Sequence, residues 1–403
     1  MLKREDVISA YIDLLGRPPE SDVAIAGHQQ AHSEVASLIA AIRESQEFKQ
    51  KHLVSQASTP QITRAEVISA YKAILHRPPE SEDTIRRNML AHSDVASLEA
   101  ALKCSEEHQQ IQTFSSKRKI KFDQIEAEVA AIARLAREDP AGATYAKALN
   151  DFWLEIPSPG FAPHSEEYRQ WVMYTYTAIS NRSGYHTSSE ETDYDLETYV
   201  KRPVPYLGGN AQAIGDMLMA IGHVIRAMDL HPESKVLELG FGWGNTTVQL
   251  AMAGYQVTGI DIAPNFVEMV RRRLVGLDLT ADLKAGSFFD VEAIDQQFDA
   301  VLFFECFHHC DDHVRLLKAL PNILKPGGKL VLAGETINNA LPYPWGINPD
   351  SQAIYCIREF GWLELSFRED YLLGLLEELG WYIEKHNFLN AMGVTYVATR
   401  KDA

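Results

Sequence analysis

Apolar and polar positions alternate in blocks along the second half of the chain. Residues 235–250 read KVLELGFGWGNTTVQL, which is a short apolar run, a loop with glycine at every second position, and a helix-like stretch. Before it, Gly215–Met228 has apolar side chains at helical spacing, and after it Tyr255–Ile262 is a second apolar run. This order predicts a helix, a strand, a tight turn, a second helix and a second strand.

The first half of the chain contains an internal repeat. The sequence REDVISAY at Arg4–Tyr11 recurs as RAEVISAY at Arg64–Tyr71, 60 residues later. The sequence RPPES recurs unchanged at the same spacing, and AHSEVASL recurs at that spacing as AHSDVASL. Apolar positions at helical spacing predict short helices in each copy, and the Arg-Pro-Pro sequence ends the first helix. No catalytic constellation is visible in either copy. We therefore predict a tandem helical module over residues 1–110, with copies at about 4–50 and 64–110.

Residues 111–207 form the segment between the repeats and the glycine-rich region. Gln110–Lys121 is polar and basic, which is typical of a linker. Ser165–Ser180 is aromatic with helical spacing, and the polar stretch after it carries Tyr185 and His186. We predict a linker followed by a helical connector.

Composition and charge limit the classes of protein that fit. The 403 residues are enough for two or three domains, and 46% hydrophobic with 23% charged residues is ordinary for a globular protein. A net charge of −17 argues against nucleic acid or an anionic membrane as the main partner. We expect neither a signal peptide nor a transmembrane helix. The four cysteines lack disulfide or zinc-finger spacing, so we expect reduced thiols and a cytoplasmic location.

The glycine-rich loop and an acidic residue after it predict a nucleoside site. A helix that begins at such a loop presents free N–H groups to a ligand, and glycine lets the ligand approach closely. Asp261 ends the second apolar run, about 20 positions after Gly240, where an acid can accept two hydrogen bonds from a ribose diol. An adenosine-type ligand is therefore the leading hypothesis.

Four sequence motifs carry a resemblance to a known family. Glu238 to Gly244 reads ELGFGWG, and FDAVLFFE, LKPGG and REDYLLGLLEELGW follow at 298–305, 324–328 and 368–381. In this order they resemble the class I S-adenosylmethionine-dependent methyltransferases. The resemblance implies S-adenosylmethionine as cofactor and a methyltransferase domain over residues 208–403. It also implies an α/β fold, a doubly wound Rossmann-like sheet in which an antiparallel seventh strand lies beside the fifth.

The resemblance also implies which residues bind the cofactor. They belong to the glycine-rich loop, to the end of the second strand and to the exit of the third, and they are Glu238, Gly240, Phe241, Gly242, Gly244, Asn245, Asp261, Ile262, Ser287, Phe288 and Asp290.

Candidate catalytic residues follow the predicted fourth strand. A hydroxyl acceptor needs a base, and His308 and His309 have an ordinary pKa suited to proton abstraction near neutrality. We expect His309, then His308, with Glu305 beside them, to form the catalytic set. The alternative is that the histidine pair only packs beneath the cofactor. We expect no metal; the alternative is a magnesium site made of Glu305, one of these histidines, and His313 or Glu335.

Acceptor contacts are expected from the insertion after the fifth strand and from the segment before the domain. Aromatic faces and polar groups suit a sugar, and loops at the carboxyl ends of strands bind substrate in this kind of sheet. The candidate residues are Tyr343, Trp345, Arg358, Trp362, Tyr185 and His186. Members of the family often have an acceptor lid before the first motif, so residues 165–205 are the expected lid. The alternative for that segment is a helical support for the sheet. The alternative for the insertion is a hydrophobic cover over the cofactor.

The N-terminal repeats resemble a helical domain of unknown function found with glycosyltransferases and methyltransferases of bacterial surface-polysaccharide clusters. This implies O-methylation of a sugar on a surface polysaccharide or its precursor, with a small-molecule or oligosaccharide acceptor and a glycosyltransferase partner at the repeats. One alternative is a methyltransferase for a small natural product or lipid. Another is a catalytically silent module that binds S-adenosylmethionine or a partner. The sequence leaves the sugar, the hydroxyl and the existence of a homo-oligomer open.

Overall fold

The computed structural model describes residues 22–32, 34–45, 62–75, 77–79, 82–140, 142–191, 194–202 and 211–401, together with Leu2, Lys3, Val7, Ala10, Tyr11 and Leu14. The chain divides into two units, Met1–Gln109 and Gln110–Ala403. The first RPPES turn and the predicted domain start at 208 lie outside the described residues.

The described part of the first unit is helical. Its helices are α1 Asp22–Ala31, α2 Val35–Glu44, α3 Arg64–Ile74, α4 Glu82–Ala91, α5 Val95–Lys103 and α6 Glu106–Ser116. Helix α6 begins in the first unit and ends in the second. Helices α1 and α4 occupy matching positions in the two copies, as do α2 and α5. In the second copy, the Arg77 side chain is buried and binds the Glu107 carboxylate at two points, 2.6 Å from Nε and 2.7 Å from Nη2. The polar residues expected as a linker carry regular structure instead, because they end α6 and begin the next strand.

The second unit alternates helices and strands. Its helices are α7 Ile125–Glu138, α8 Ala143–Ala148, α9 Glu166–Ser180, α10 Leu196–Val200, α11 Ala211–Met228, α12 Asn245–Met252, α13 Pro264–Gly276, α14 His313–Ala319, α15 Ser351–Glu359 and α16 Glu369–Glu378. Its strands are β1 Arg118–Ile120, β2 Phe152–Leu154, β3 Lys235–Leu239, β4 Gln256–Asp261, β5 Asp282–Ala285, β6 Phe298–Phe304, β7 Leu324–Ala333, β8 Trp345–Ile347, β9 Leu365–Phe367, β10 Trp381–His386 and β11 Thr395–Arg400.

Seven strands form the central sheet in the order β10-β11-β7-β6-β3-β4-β5. Neighbours from β5 to β7 are parallel, whereas β11 is antiparallel to both β7 and β10. The prediction of a doubly wound sheet with an antiparallel strand beside the fifth is confirmed. The apolar residues of β3, β6 and β7 are buried, as expected where both faces of a sheet are covered. Since parallel strands end at the same edge, the loops after β3, β4, β5 and β6 lie together there.

Helix α9 packs against the insertion that carries β8 and α15. The Tyr168 hydroxyl donates to the carbonyl oxygen of Trp345 at 2.7 Å, and the Tyr176 hydroxyl donates to that of Gly361 at 2.6 Å. The expected lid segment thus begins with a helix anchored to the domain. No helix in the described ranges is long and apolar enough to cross a membrane.

Candidate functional site

The loop between β3 and α12 contains three glycines with positive φ angles, 68° at Gly240, 46° at Gly242 and 70° at Gly244. A Cβ atom on Gly240 would lie 2.9 Å from the side chain of Cys306, and one on Gly244 would lie 2.3 Å from Val270. A Cβ atom on Gly242 would meet no heavy atom within 4 Å. Two of the glycines are therefore required for close packing, whereas the third leaves one face of the loop open.

Asp261 ends β4 directly beside this loop and is buried. Its Oδ2 atom accepts a hydrogen bond from the backbone N–H of Gly242 at 2.7 Å, and Oδ1 accepts one from that of Ala263 at 2.9 Å. Burial raises the pKa of Asp261, and the two backbone N–H groups partly offset that rise. A carboxylate has about four acceptor sites, so the side chain keeps acceptor positions for a diol.

Glu238 lies beneath the loop. Its side chain is 1% exposed, and Oε2 accepts a hydrogen bond from the Thr247 hydroxyl at 2.6 Å. Burial raises the pKa of Glu238 to about 8. Glu238 thus connects β3 to the first turn of α12, and a direct contact with a cofactor stays a prediction.

Replacing Glu238 with glutamine should make stability less dependent on pH. The folded protein retains the Glu238 proton up to about pH 8, whereas the unfolded chain loses it near its ordinary pKa of 4.5. The wild type should therefore lose stability as the pH rises through that window, and the glutamine variant should lack this loss. From pH 5 to pH 7 the unfolding free energy of the variant, relative to wild type, should rise by about 2 kcal/mol. Urea unfolding at both pH values measures this, and a pH-independent difference would contradict the buried acid.

Three predicted cofactor residues lie at the exit of β5. The Ser287 hydroxyl donates to Oδ1 of Asp290 at 3.2 Å, and these two residues form a capping box for the turn Phe288–Ala293. The Phe288 ring packs edge-on against Phe303, with centroids 5.6 Å apart, and its Cε1 atom lies 3.3 Å from where a Cβ on Gly240 would stand. Phe288 therefore borders the glycine loop, where a ring could cover an adenine.

The remaining predicted cofactor residues surround the same loop. The Phe241 side chain is buried against Phe266 and Leu283, so it supports the loop from the side of α13. Asn245 begins α12, and Ile262 is half-buried directly after Asp261. The structure therefore brings the predicted residues together at one edge of the sheet.

A short turn, Phe307–His309, follows β6 and is held in place by the buried carboxylate of Glu335. Oε1 of Glu335 accepts hydrogen bonds from the backbone N–H of Cys306 at 3.2 Å and of Phe307 at 3.0 Å. Oε2 accepts from the backbone N–H of His308 at 3.1 Å and lies 2.8 Å from its Nδ1 atom. Both oxygens of Glu335 are thus used to shape the turn.

The two histidines of this turn have different hydrogen-bond partners and different acidities. Burial would lower the pKa of His308, but the hydrogen bond and the charge of Glu335 raise it to about 9. His309 donates from Nδ1 to the carbonyl oxygen of Leu363 at 2.8 Å. Burial and the neighbouring His308 lower the pKa of His309 to about 3, which makes it a weak proton acceptor. His309, expected as the base, is therefore neutral near pH 7, with its Nε2 lone pair available.

Glu190 reaches this turn from the expected lid. It belongs to the 3-10 turn Thr187–Glu190, and its Oε1 atom accepts a hydrogen bond from the backbone N–H of Leu363 at 2.8 Å. Oε2 lies 3.6 Å from Nδ1 of His309. Burial raises the pKa of Glu190 to about 8, and the backbone N–H of Leu363 and the nearby Tyr185 hydroxyl partly offset that rise.

Two further carboxylates complete the group. Oε2 of Glu364 lies 3.8 Å from Nε2 of His308, and burial raises the pKa of Glu364 to about 7. Glu305 follows β6 with a φ of 53°, and burial raises its pKa to about 7 as well. We call His308, His309, Glu190, Glu305 and Glu364 the histidine–glutamate cluster.

The magnesium set considered from the sequence is not assembled. Nε2 of His313 is 2.8 Å from the Tyr371 hydroxyl, and the ring packs edge-on against Trp345. Both carboxylate oxygens of Glu335 already accept hydrogen bonds from the turn. Neither residue can therefore join Glu305 around a metal ion.

Two of the expected acceptor residues are internal. Tyr343 is 1% exposed and donates from its hydroxyl to the carbonyl oxygen of Ile347 at 2.7 Å. Trp345 is 3% exposed and donates from its indole N–H to the carbonyl oxygen of Pro163 at 2.8 Å. A sugar stacks on an exposed ring face, so the structure contradicts the acceptor role of these two residues.

The other expected acceptor residues are dispersed. Arg358 forms an ion pair with Glu126 on α7, and the half-buried Trp362 packs on Phe360 with centroids 4.8 Å apart. His186 is exposed and immediately precedes the 3-10 turn that ends at Glu190. Tyr185 contacts the histidine–glutamate cluster through Glu190, whereas Arg358 is directed away towards α7.

Several residues of the site were missed from the sequence. Glu190 belongs to a polar stretch without a motif, so no local pattern marks it. Glu364 lies in the sequence LELSF, Leu363 to Phe367, where apolar and polar residues alternate, so the pattern alone indicates an outward-facing residue of a short strand.

Arg273 is another missed residue, and it connects the glycine loop to the lid segment. It is buried and donates to the carbonyl oxygens of Val200 at 3.1 Å and Tyr199 at 2.6 Å, and also to those of Trp243 and Arg202. Desolvation lowers its pKa. This arginine holds α10 against the loop.

Residues 237–332 match the family model described as "Methyltransferase domain". This segment is a methyltransferase domain. The matched range runs from β3 to β7, so it contains the glycine loop, Asp261 and the histidine turn of the methyltransferase domain.

Relatives agree with the family over a limited length. The chain is 35% identical over 103 residues to the ubiquinone biosynthesis O-methyltransferase of Xanthomonas campestris pv. campestris (strain B100), covering 25% of this chain and 43% of that protein. The protein of the same name from Xanthomonas axonopodis pv. citri (strain 306) is 36% identical over 101 residues, 25% of this chain and 42% of its own length. The chain thus spans less than half the length of these relatives. The solved S-adenosylmethionine dependent methyltransferase from Mesorhizobium loti is 18% identical with a TM-score of 0.35, covering 45% of this chain and 98% of that one.

The residues present fit S-adenosylmethionine, the cofactor that the sequence resemblance implies for this domain. Gly242 leaves an open face on the loop, and Asp261 keeps acceptor positions for a ribose diol. Gly244 is the N-cap residue of α12 and provides no side-chain cap, so the first N–H groups of the helix suit the carboxylate of the methionine part.

Proposed function

We propose that the chain is an O-methyltransferase that methylates a sugar hydroxyl of a bacterial surface polysaccharide or of its precursor. One observation carries the choice of a hydroxyl acceptor. The histidine–glutamate cluster follows β6 directly, and Cys306, two residues before His308, lies against Gly240 of the cofactor loop. Acid–base side chains therefore stand next to the place where the cofactor is expected.

For this reaction the protein must align the acceptor oxygen with the methyl group and provide a proton acceptor. When bound, S-adenosylmethionine supplies an activated methyl group, and its transfer to an acceptor oxygen leaves the C–S electron pair on sulfur and releases the hydroxyl proton. Glu190 and Glu364 offer oxygens to acceptor hydroxyls, and Glu364, whose pKa of about 7 leaves it partly ionised near neutrality, can take up that proton. Nε2 of His309 offers a further acceptor, since Nδ1 donates to Leu363. Glu335 positions the turn.

A polyhydroxylated acceptor is supported by the number of oxygen and nitrogen acceptors in the cluster. Hydroxyl groups can satisfy several buried carboxylates at once, whereas an apolar acceptor would leave them without partners. The resemblance of the N-terminal repeats to a domain of polysaccharide-cluster proteins supports the same class. We propose that this module holds a glycosyltransferase or a glycan, and that the reaction takes place in the cytoplasm.

A second candidate is methylation of a phenol or a lipid-linked aromatic. It is favoured by the 35% identity to proteins named ubiquinone biosynthesis O-methyltransferases. It predicts turnover without the first 110 residues, whereas a role for the repeats in glycan binding predicts that their removal reduces turnover.

The test is an incubation of the full chain with methyl-labelled S-adenosylmethionine and a panel of nucleotide sugars, oligosaccharides, catechols and prenylated phenols. We expect label in a carbohydrate, with the Asp261→Ala variant as the inactive control. Label only in the phenols would establish the second candidate. Cofactor binding without any labelled product would instead indicate a silent binding module.

A further inference from the structure

The two histidines of the turn after β6 have the hydrogen-bond arrangement that metal ligands have in proteins. We propose that Nε2 of His308, Nε2 of His309 and the carboxylate of Glu364 bind one divalent transition-metal ion. The ion would hold the acceptor hydroxyl, a role that rests on the proposed function, whereas the binding of the ion itself does not.

The first argument is the orientation of the rings. Nδ1 of His308 is paired with the Glu335 carboxylate at 2.8 Å, and Nδ1 of His309 donates to the Leu363 carbonyl oxygen at 2.8 Å. Each imidazole is therefore fixed by one nitrogen, which leaves Nε2 for another partner. At His308 a bound ion would displace the proton that Nε2 carries near neutrality and release it to water. Histidine ligands of metals are held in this way, by a carboxylate or a backbone carbonyl on the nitrogen that does not bind the ion.

The second argument is the position of Glu364. Its side chain is 13% exposed, and its carboxylate lies 3.8 Å from Nε2 of His308. A carboxylate withdrawn from water needs a cation or hydrogen-bond donors close to it. The backbone N–H groups of the turn donate to Glu335 and not to Glu364.

The third argument is distance. One ring nitrogen of each histidine and one oxygen of Glu364 all lie within 4.8 Å of one another. Ligand atoms about 2.1 Å from one ion can be at most about 4.2 Å apart. The 3.8 Å between His308 and Glu364 already suits a shared ion, and small side-chain rotations would close the remaining gaps. The His309 side chain is 23% exposed, so an ion can reach the site from solvent.

The donor set indicates the class of ion. Two imidazole nitrogens and one carboxylate suit Mn²⁺, Fe²⁺, Co²⁺ or Zn²⁺, whereas Mg²⁺ and Ca²⁺ prefer oxygen ligands alone. Three protein ligands also leave coordination positions open, as in sites where a metal binds a substrate oxygen. The ion would neutralise the carboxylates of the cluster and fix the acceptor oxygen beside the cofactor loop.

The experiment is a titration of the metal-free full chain with Co²⁺, followed by its visible absorption and by calorimetry. We expect one ion per chain in the wild type, no competition from millimolar Mg²⁺, and affinity reduced at least about tenfold by Glu364→Gln and by His309→Gln. The matched control is His231→Ala, which removes an exposed histidine outside the cluster and should bind Co²⁺ like the wild type.

Two results would overturn the metal site: no stoichiometric binding by the wild type, or wild-type affinity in both cluster variants. A titration with S-adenosylmethionine on the same samples separates this inference from the proposed function. Cofactor binding and methyl transfer without Co²⁺ binding would refute the metal site alone. Stoichiometric Co²⁺ binding that the two variants lose, without transfer to any hydroxyl acceptor, would uphold the site and refute the proposed function.

Discussion

The Asp261→Ala variant should bind S-adenosylmethionine at least about 100-fold more weakly than the wild type. A hydrogen bond to a charged group contributes about 1.5–3 kcal/mol, and a ribose diol would lose two of them. The substitution also leaves the backbone N–H groups of Gly242 and Ala263 without their acceptor, so the glycine loop loses its support from β4. Calorimetry with the full chain measures the affinity.

Asp282→Ala is the matched control for this substitution. Asp282 begins the neighbouring strand β5, and its side chain is 62% exposed and forms an ion pair with Lys284. The control should bind the cofactor with wild-type affinity. If Asp261→Ala also did so while remaining folded, the position of the nucleoside against β4 would be wrong.

Gly244→Ala should destabilise the second unit by about 3 kcal/mol. Alanine at a φ of 70° costs about 1–2 kcal/mol. Its methyl group would also overlap the buried side chain of Val270, because the added Cβ would lie 2.3 Å from a Val270 methyl carbon. All six tryptophans lie in the second unit, so their fluorescence during urea unfolding reports on it selectively.

Gly242→Ala provides the comparison in the same loop. Its added methyl meets no heavy atom within 4 Å, so the cost should be about 1 kcal/mol from the backbone alone. This variant should fold but bind S-adenosylmethionine poorly, because the methyl occupies the open face of the loop. Adding Val270→Ala to Gly244→Ala should recover part of the lost stability. Equal stability of the two single variants would contradict the different roles assigned to these glycines.

The cofactor half of the site could be predicted from the sequence because its parts are local. A strand end, a loop and a helix start are consecutive in 235–250, and Asp261 ends the next strand. Backbone geometry at such a turn depends on glycine, which is visible in the sequence. Strand order and the antiparallel position of β11 were predictable only through the family resemblance.

The acceptor half could not be predicted in the same way because its residues are distant in sequence. Glu190, His309 and Glu364 lie on three segments that only the folded chain brings together. Tyr343 and Trp345 show the opposite error, since an aromatic loop can cover the core as well as bind a sugar. Burial separates the two roles, and burial depends on what packs against the loop, here helix α9.

By itself the sequence determined the α/β class of the second half of the chain, and it predicts the helical repeats of the first 110 residues and a nucleoside site at the first glycine turn. Each of these follows from short-range patterns of apolar, glycine and acidic positions. The tertiary structure decided which carboxylates surround the histidine turn, how each imidazole is oriented, and which aromatic residues are internal. Those properties depend on contacts between segments far apart in the chain and on the loss of water around them, and neither is encoded in local spacing.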